Sequence, residues 1–341
     1  MSIHEALEVQ QPDWQLRKRE VTALFQSTVL SPTRASTMLD YTSFHAVFPP
    51  QGANPYLDKS TVTEIETLRK SFDGILFIDR VLSSLRILPP PGNNGQRYPP
   101  RDERGLRNLH TAICNAKVSA HHKLSVLYYL LLDFDLVRGH TSTVADDFVS
   151  KSGLPRKYHL MMRGLWHMDR KEFKFAVEYL THPSLPSEFG DEIITVLIRH
   201  AQDDYSLPLA YYHTTQPVLH TSDALSLLFD AITQTSVTEA LYFSRTYPES
   251  TRRQLFEQLI SIVLGSPAEG TRLKELVGLP FDGVEEGWFS EYLTTGEGRK
   301  LKLAANAAET RLIVTGRHRG QIRIRGLEEN IAPKRTARAA R

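Results

Sequence analysis

The sequence is poor in the residues that carry most recognisable chemistry. Cys114 is the single cysteine in 341 residues, which excludes intrachain disulfides and cysteine-rich zinc sites. No stretch approaches the roughly 20 consecutive apolar residues that span a bilayer. The opening Met1-Ser2-Ile3-His4-Glu5 lacks the basic segment and apolar run of a secretory signal. These absences point to a reducing compartment, cytosol or nucleus. No G-x-x-x-x-G-K, G-x-S-x-G or H-E-x-x-H occurs, and Gly296-Glu297-Gly298 follows no strand pattern that would make it a dinucleotide fingerprint. Strand runs bounded by hairpin turns are missing as well.

What titratable chemistry remains is scattered. Cys114 sits between Ile113 and Asn115 on a helical pattern, which suits an inert thiol better than a nucleophile with a poised base. His121 and His122 are adjacent and point to different sides of a helix. His159 and His167 are eight apart and could share a face, and His167-Met-Asp169 could supply two metal ligands. A zinc site needs at least three protein ligands with outer support, so no metal and no cofactor is expected. Asp133 with Asp135, and Asp203 with Asp204, read as helix-end or solvated charges, because paired-carboxylate catalysis needs opposed side chains around a cleft.

Helical periodicity is what the chain does have. Thr61-Val-Thr-Glu64 has capping-box form. Ile65, Leu68, Phe72, Ile75, Leu76, Ile78, Leu82 and Leu85 follow, mostly at three- or four-residue steps, with Gly74 weakening the pattern locally. Pro89-Pro-Pro-Gly-Asn-Asn-Gly95 stops it. Ten further apolar-periodic segments run from Asp102 to about Gly265. The one carrying Leu124, Leu127, Tyr128, Leu131, Leu132 and Leu136 is apolar over much of its circumference, which marks a central helix. Pro155 suits a helix start. Phe173, Ala176, Val177 and Leu180 form a helix face ended by Pro183, and the turn at Asp169 brings Trp166 against Phe173. Connections of a few residues make consecutive helices antiparallel neighbours. The expectation is an all-α fold, an irregular α-solenoid of stacked antiparallel helices, with a compact bundle as the competing architecture. Three parts are expected: a partly helical segment over 1–55, the solenoid over 56–295, and a basic, largely disordered tail over 296–341.

Charge divides the same way. From Arg299 onward there are 12 Lys and Arg against 3 Asp and Glu, a net +9, which leaves −7 on residues 1–298. A basic tail on an acidic body suggests an anionic partner. Gly316-Arg317-His318-Arg319-Gly320 resembles an AT-hook, the Arg-Gly-Arg core that enters the narrow minor groove, with His318 in the place of the central glycine. Arg317, Arg319, Arg323, Arg325, Lys334, Arg335 and Arg338 are the candidate contacts to nucleic acid or another anion. A generic basic tail or an import signal is the alternative.

Three segments together resemble the helical domain of ELYS-like nucleoporins, in the short fungal form. They are FDGILFIDRVL at 72–82 with YPPR at 98–101, HKLSVLYYLLLD at 122–133, and LWHMDRKEFKFAVEYLTHP at 165–183. The resemblance extends over roughly residues 40–280. It implies a non-enzymatic scaffold subunit of the nuclear pore's outer ring, the Y-complex, at the nuclear envelope, serving pore assembly and mRNA and protein transport. The implied partners are solenoid and propeller nucleoporins of the arm, with a chromatin contact through the tail, and no small-molecule substrate. Another helical-repeat adaptor, or an all-helical enzyme with a site built from distant residues, stands as the alternative.

Overall fold

The computed structural model describes residues 39–48, 54–88, 98–137, 144–186, 188–202, 204–265 and 270–316. Among these residues there are sixteen α-helices, two 3-10 turns and no strand. The helices are α1 (Phe44–Val47), α2 (Lys59–Ser71), α3 (Phe77–Ser84), α4 (Glu103–Asn115), α5 (Ala120–Val137), α6 (Val144–Ser152), α7 (Arg156–Asp169) and α8 (Phe173–Leu180). They continue as α9 (Gly190–Arg199), α10 (Ser206–Thr215), α11 (Ser222–Thr235), α12 (Val237–Ser244), α13 (Glu249–Gly265), α14 (Thr271–Gly278), α15 (Gly283–Thr294) and α16 (Ala304–Val314). The 3-10 turns are Pro55–Leu57 and Glu297–Lys300.

The order of contacts is that of an α-solenoid. Sequential neighbours pack as pairs, α7 on α8, α9 on α10 and α11 on α12. Alternate helices then form two rows, with α9, α11, α13 and α15 in one and α12, α14 and α16 in the other. Such stacking lets each pair cover its neighbour's apolar face. α5 is the centre of the first half and touches α4, α6 and α7. Every residue from Leu124 to Phe134 on it is buried. Its all-round apolar sequence is the cause, since no face of it can be left to water.

Several local expectations are corrected. The apolar run after Thr61 is two helices, not one. Asp73 (φ 55°) and Gly74 (φ 87°) turn the chain between α2 and α3, and Gly74 supplies the left-handed conformation at no steric cost. The cap of α2 is Asp58, whose carboxylate accepts from the Ser60 N–H at 3.0 Å, so Thr61 lies inside the helix rather than capping it. Trp166 and Phe173 also have other partners than expected. Trp166 donates to Asp133, and the Phe173 ring lies against His200 at 5.4 Å. The hairpin of α7 and α8 closes instead through Gly164, where a Cβ would stand 2.6 Å from Leu180 Cγ, and through His167 stacked on Tyr179 at 5.4 Å. Within 296–341, α16 packs on α14 and α15 and buries Ala304, Ala307 and Arg311.

Candidate functional site

Aspartates meet aromatic side chains in the interior of the first half. Asp133 on α5 is 3% exposed. Its Oδ2 accepts from the hydroxyls of Tyr56 and Tyr98, each at 2.7 Å, and its Oδ1 from the Trp166 indole N–H at 2.8 Å. Four stretches of chain therefore converge on one carboxylate: the turn before α2, the segment before α4, α5 itself and α7. Burial raises the pKa of Asp133, and the three donors act against that rise. The phenols of Tyr56 and Tyr98 are pushed well above their ordinary range, by burial first and then by the Asp133 charge, so they stay protonated and donate.

Asp169 ends α7 and serves α3. Its Oδ1 accepts from the Phe77 N–H at 2.7 Å; its Oδ2 accepts from the Ile78 N–H at 3.0 Å and the Tyr129 hydroxyl at 2.8 Å. Phe77 and Ile78 are the first two residues of α3, whose amides have no partner within the helix. Burial pushes Asp169 up to about 7 against these donors. Asp79 reaches back to the Leu76 N–H at 2.9 Å and pairs with Arg69, which also donates to the Tyr98 carbonyl at 2.5 Å. The space beside Asp133 and Asp169 is about 10 Å³, at or below the size of a water site and far below that of a substrate. With its oxygens engaged by donors, this hub is a tertiary staple.

Capping of one helix by a carboxylate of another recurs along the array. Asp135 on α5 accepts from the Val144 and Ala145 N–H groups that open α6, both at 3.0 Å. Asp191 on α9 accepts from His220 and Thr221, just before α11. Glu275 on α14 accepts from the Thr238 N–H near the start of α12 at 3.2 Å. Each such bond satisfies an end amide and sets negative charge at the positive end of the helix dipole. In the second half, Glu285 is 0% exposed and bound by Arg245 and Arg252; despite burial, their hydrogen bonds hold it below its ordinary range. Arg311 on α16 donates to the carbonyls of Val277 and Leu279 at 2.6 and 2.7 Å and lies 4.2 Å from the Phe281 ring centre.

The residues singled out from sequence fall as follows. Arg317, Arg319, Arg323, Arg325, Lys334, Arg335 and Arg338 lie outside the described residues. His159 and His167 do not come together: His159 packs on Tyr128, and burial pushes it down to about 4, while His167 meets Glu172 at 2.6 Å. Asp169 is bound by donors and is not available as the partner ligand of His167. Among the described residues no group of three or more metal-type ligands occurs. Cys114 Sγ lies 3.6 Å from the Tyr41 carbonyl oxygen, and burial raises its pKa. Asp135 has the helix-end role expected of it, but Asp133 is no solvated charge. The signal for that was present: Asp133 follows Leu130-Leu131-Leu132 and precedes Phe134 on a helix with no polar face.

Two rows of helices, tied by interior carboxylates with only about 10 Å³ of space beside Asp133 and Asp169, define a helical scaffold. The family model of ELYS, described as nuclear pore complex assembly, matches residues 75–296, and the chain belongs to that family. The match begins at the turn into α3 and contains Asp79, Asp133, Asp169 and Glu285. The chain is also similar to the uncharacterized protein ely5 of Schizosaccharomyces pombe (strain 972), with 25% identity over 232 residues. That alignment covers 68% of this chain and 72% of the relative. The family is one of nuclear pore assembly rather than of catalysts, and it implies association with the pore and with nucleoporin partners.

Proposed function

We propose that this protein is a structural subunit of the pore's outer ring, the Y-complex, and supports mRNA and protein transport by completing that scaffold. The observation that carries the reading is the family match laid over a stapled solenoid. A solenoid offers long faces to other chains, and internal staples hold those faces in fixed register. The partners proposed are the solenoid and propeller subunits of the ring's arm, and the site of action is the nuclear envelope. A contact to chromatin through the basic tail is a further part of the proposal, supported by the net +9 beyond residue 298.

The test is a fluorescent fusion of the full chain expressed in Schizosaccharomyces pombe, together with co-elution of the purified chain with reconstituted arm subunits. Fluorescence at the nuclear rim and a shared elution peak are expected. Diffuse fluorescence would remove the pore assignment. Rim fluorescence without co-elution would remove the outer-ring assignment.

A further inference from the structure

Away from the carboxylate hub, the first turns of α5 and α7 face the segment that leads into α9. Between them and the end of α3 lies a hollow of about 130 Å³. Val81, Leu85, Met161, Met162 and Phe189 contribute its apolar lining. An apolar cavity of about 150 Å³ is large enough to take benzene, so this one suits a single leucine, methionine or phenylalanine side chain. Two methionines in the lining allow it to adapt to differently shaped groups.

The rim has a definite charge. α5 begins Ala120-His121-His122-Lys123 and α7 begins Arg156-Lys157, and neither first turn holds an acidic residue. Basic side chains at a helix start oppose the helix dipole, which favours anions there. Elsewhere the chain puts carboxylates at helix starts, at α3, α6, α11 and α12. At α5 and α7 basic side chains stand there instead. Lys157 lines the hollow and is exposed; its ammonium lies 5.1 Å from the Tyr158 ring centre, with no carboxylate in ion-pair range among the described residues. His121 and His122 flank the same ring, one stacked at 5.6 Å and one edge-on at 5.4 Å. Lys123 is engaged by the Cys114 carbonyl, and Glu188, on the segment that leads into α9, also lines the hollow, so the basic residues are those of α5 and α7.

We infer that this hollow is a docking site for a short acidic segment of a partner protein. One bulky apolar side chain of that segment fills the space between α3, α5 and α7, and its carboxylates lie over the basic first turns of α5 and α7. Charge complementarity selects this occupant. The chain's own tail carries the same sign as the rim and is repelled by it. A nucleic-acid backbone would match the rim but has no side chain for the apolar lining. The inference does not rest on the outer-ring reading, since the chemistry of the pocket is the same whichever complex supplies the segment.

The test uses the full chain and short fluorescein-labelled synthetic peptides, read by anisotropy at low salt. The reference peptide holds one central leucine or phenylalanine among glutamates. Its first counterpart has glutamine for every glutamate, and its second has alanine for the anchor. The reference is expected to bind roughly ten- to a hundred-fold more tightly than the alanine peptide. It is also expected to exceed the glutamine peptide, and Lys157→Glu should weaken it about ten-fold. Met161→Arg, which fills the hollow, should abolish binding. Lys157 is exposed, so its variant keeps the test valid if Met161→Arg fails to fold. Equal binding of the three peptides, no binding of the reference, or no effect of Lys157→Glu would overturn the inference. Displacement by single-stranded DNA with no dependence on the anchor would overturn it in favour of a general polyanion surface.

Discussion

Asp133 shows how one residue can hold four stretches of chain, and how much depends on its being satisfied. Replacing it by alanine leaves the Tyr56 and Tyr98 hydroxyls and the Trp166 N–H buried without their acceptor. Leaving one such donor unpaired costs about 1–3 kcal/mol, so Asp133→Ala is expected to lose several kcal/mol in urea denaturation. Tyr56→Phe removes one donor and leaves the carboxylate with two, and should cost about 0.5–1.5 kcal/mol. Equal losses would mean that the carboxylate is incidental to packing. Asp169 adds a dependence on pH. Burial raises its folded pKa to about 7, well above the unfolded range of aspartate, so between about pH 4 and 7 the folded state binds more protons than the unfolded one. The contribution of this group is therefore full below about pH 4 and is lost as pH rises through 7. In Asp169→Asn that loss is absent, so the stability advantage of the wild type over the variant should shrink from pH 5 to pH 7. An advantage that grows over this range would refute the assignment.

At the scale of elements, the periodicity of apolar residues was enough to place the helices from α4 to α13, because each buries a face against a neighbour and carries the three-four spacing for it. It was not enough to divide α2 from α3. The apolar face continues in register through Phe72 and Ile75, and only the left-handed turn at Asp73 and Gly74 separates the two. Nor could it foresee caps given by distant helices, since the bond from Asp169 to Ile78 spans 91 residues. The same limit hid the way α7 meets α8. Gly164 within α7 looks like a weak point, and Gly→Ala in a helix interior ordinarily gains about 1 kcal/mol. Here the added Cβ would lie 2.6 Å from Leu180 Cγ, and overpacking of this kind costs about 1–3 kcal/mol. Gly164→Ala should therefore lower the thermal midpoint, and Leu180→Ala in the same chain should recover part of the loss in a double-mutant cycle. A stabilised Gly164→Ala would show that the hairpin is not closed by this contact.

For the whole molecule, the separation of charge along the chain is the feature with the widest consequence. Residues 1–298 carry −7 and the remainder +9. Part of that positive charge is already committed, because Arg311 is buried on α16 against the carbonyls that end α14 and against Glu286. The arginines and lysines beyond Gly316, which include Arg317, Arg319 and Arg323, carry most of the rest, and they are the residues proposed to meet an anionic partner. If that partner is duplex DNA, each phosphate contact releases condensed counterions, and affinity must fall steeply as salt rises. Deleting residues 317–341 should then abolish duplex binding at low salt while leaving the thermal midpoint of the body unchanged. Replacing Arg317 and Arg319 by alanine separates two versions of the contact. An AT-hook remnant would lose affinity for A·T-rich duplex more than for G·C-rich duplex, because only the former has the narrow minor groove that attracts arginine. With His318 where the hook requires glycine, the backbone between the two arginines cannot lie as close to the groove floor, so equal weakening on both duplexes is the expected result. Unchanged duplex binding after the deletion would dismiss nucleic acid as the tail's partner and turn the search to an acidic protein face.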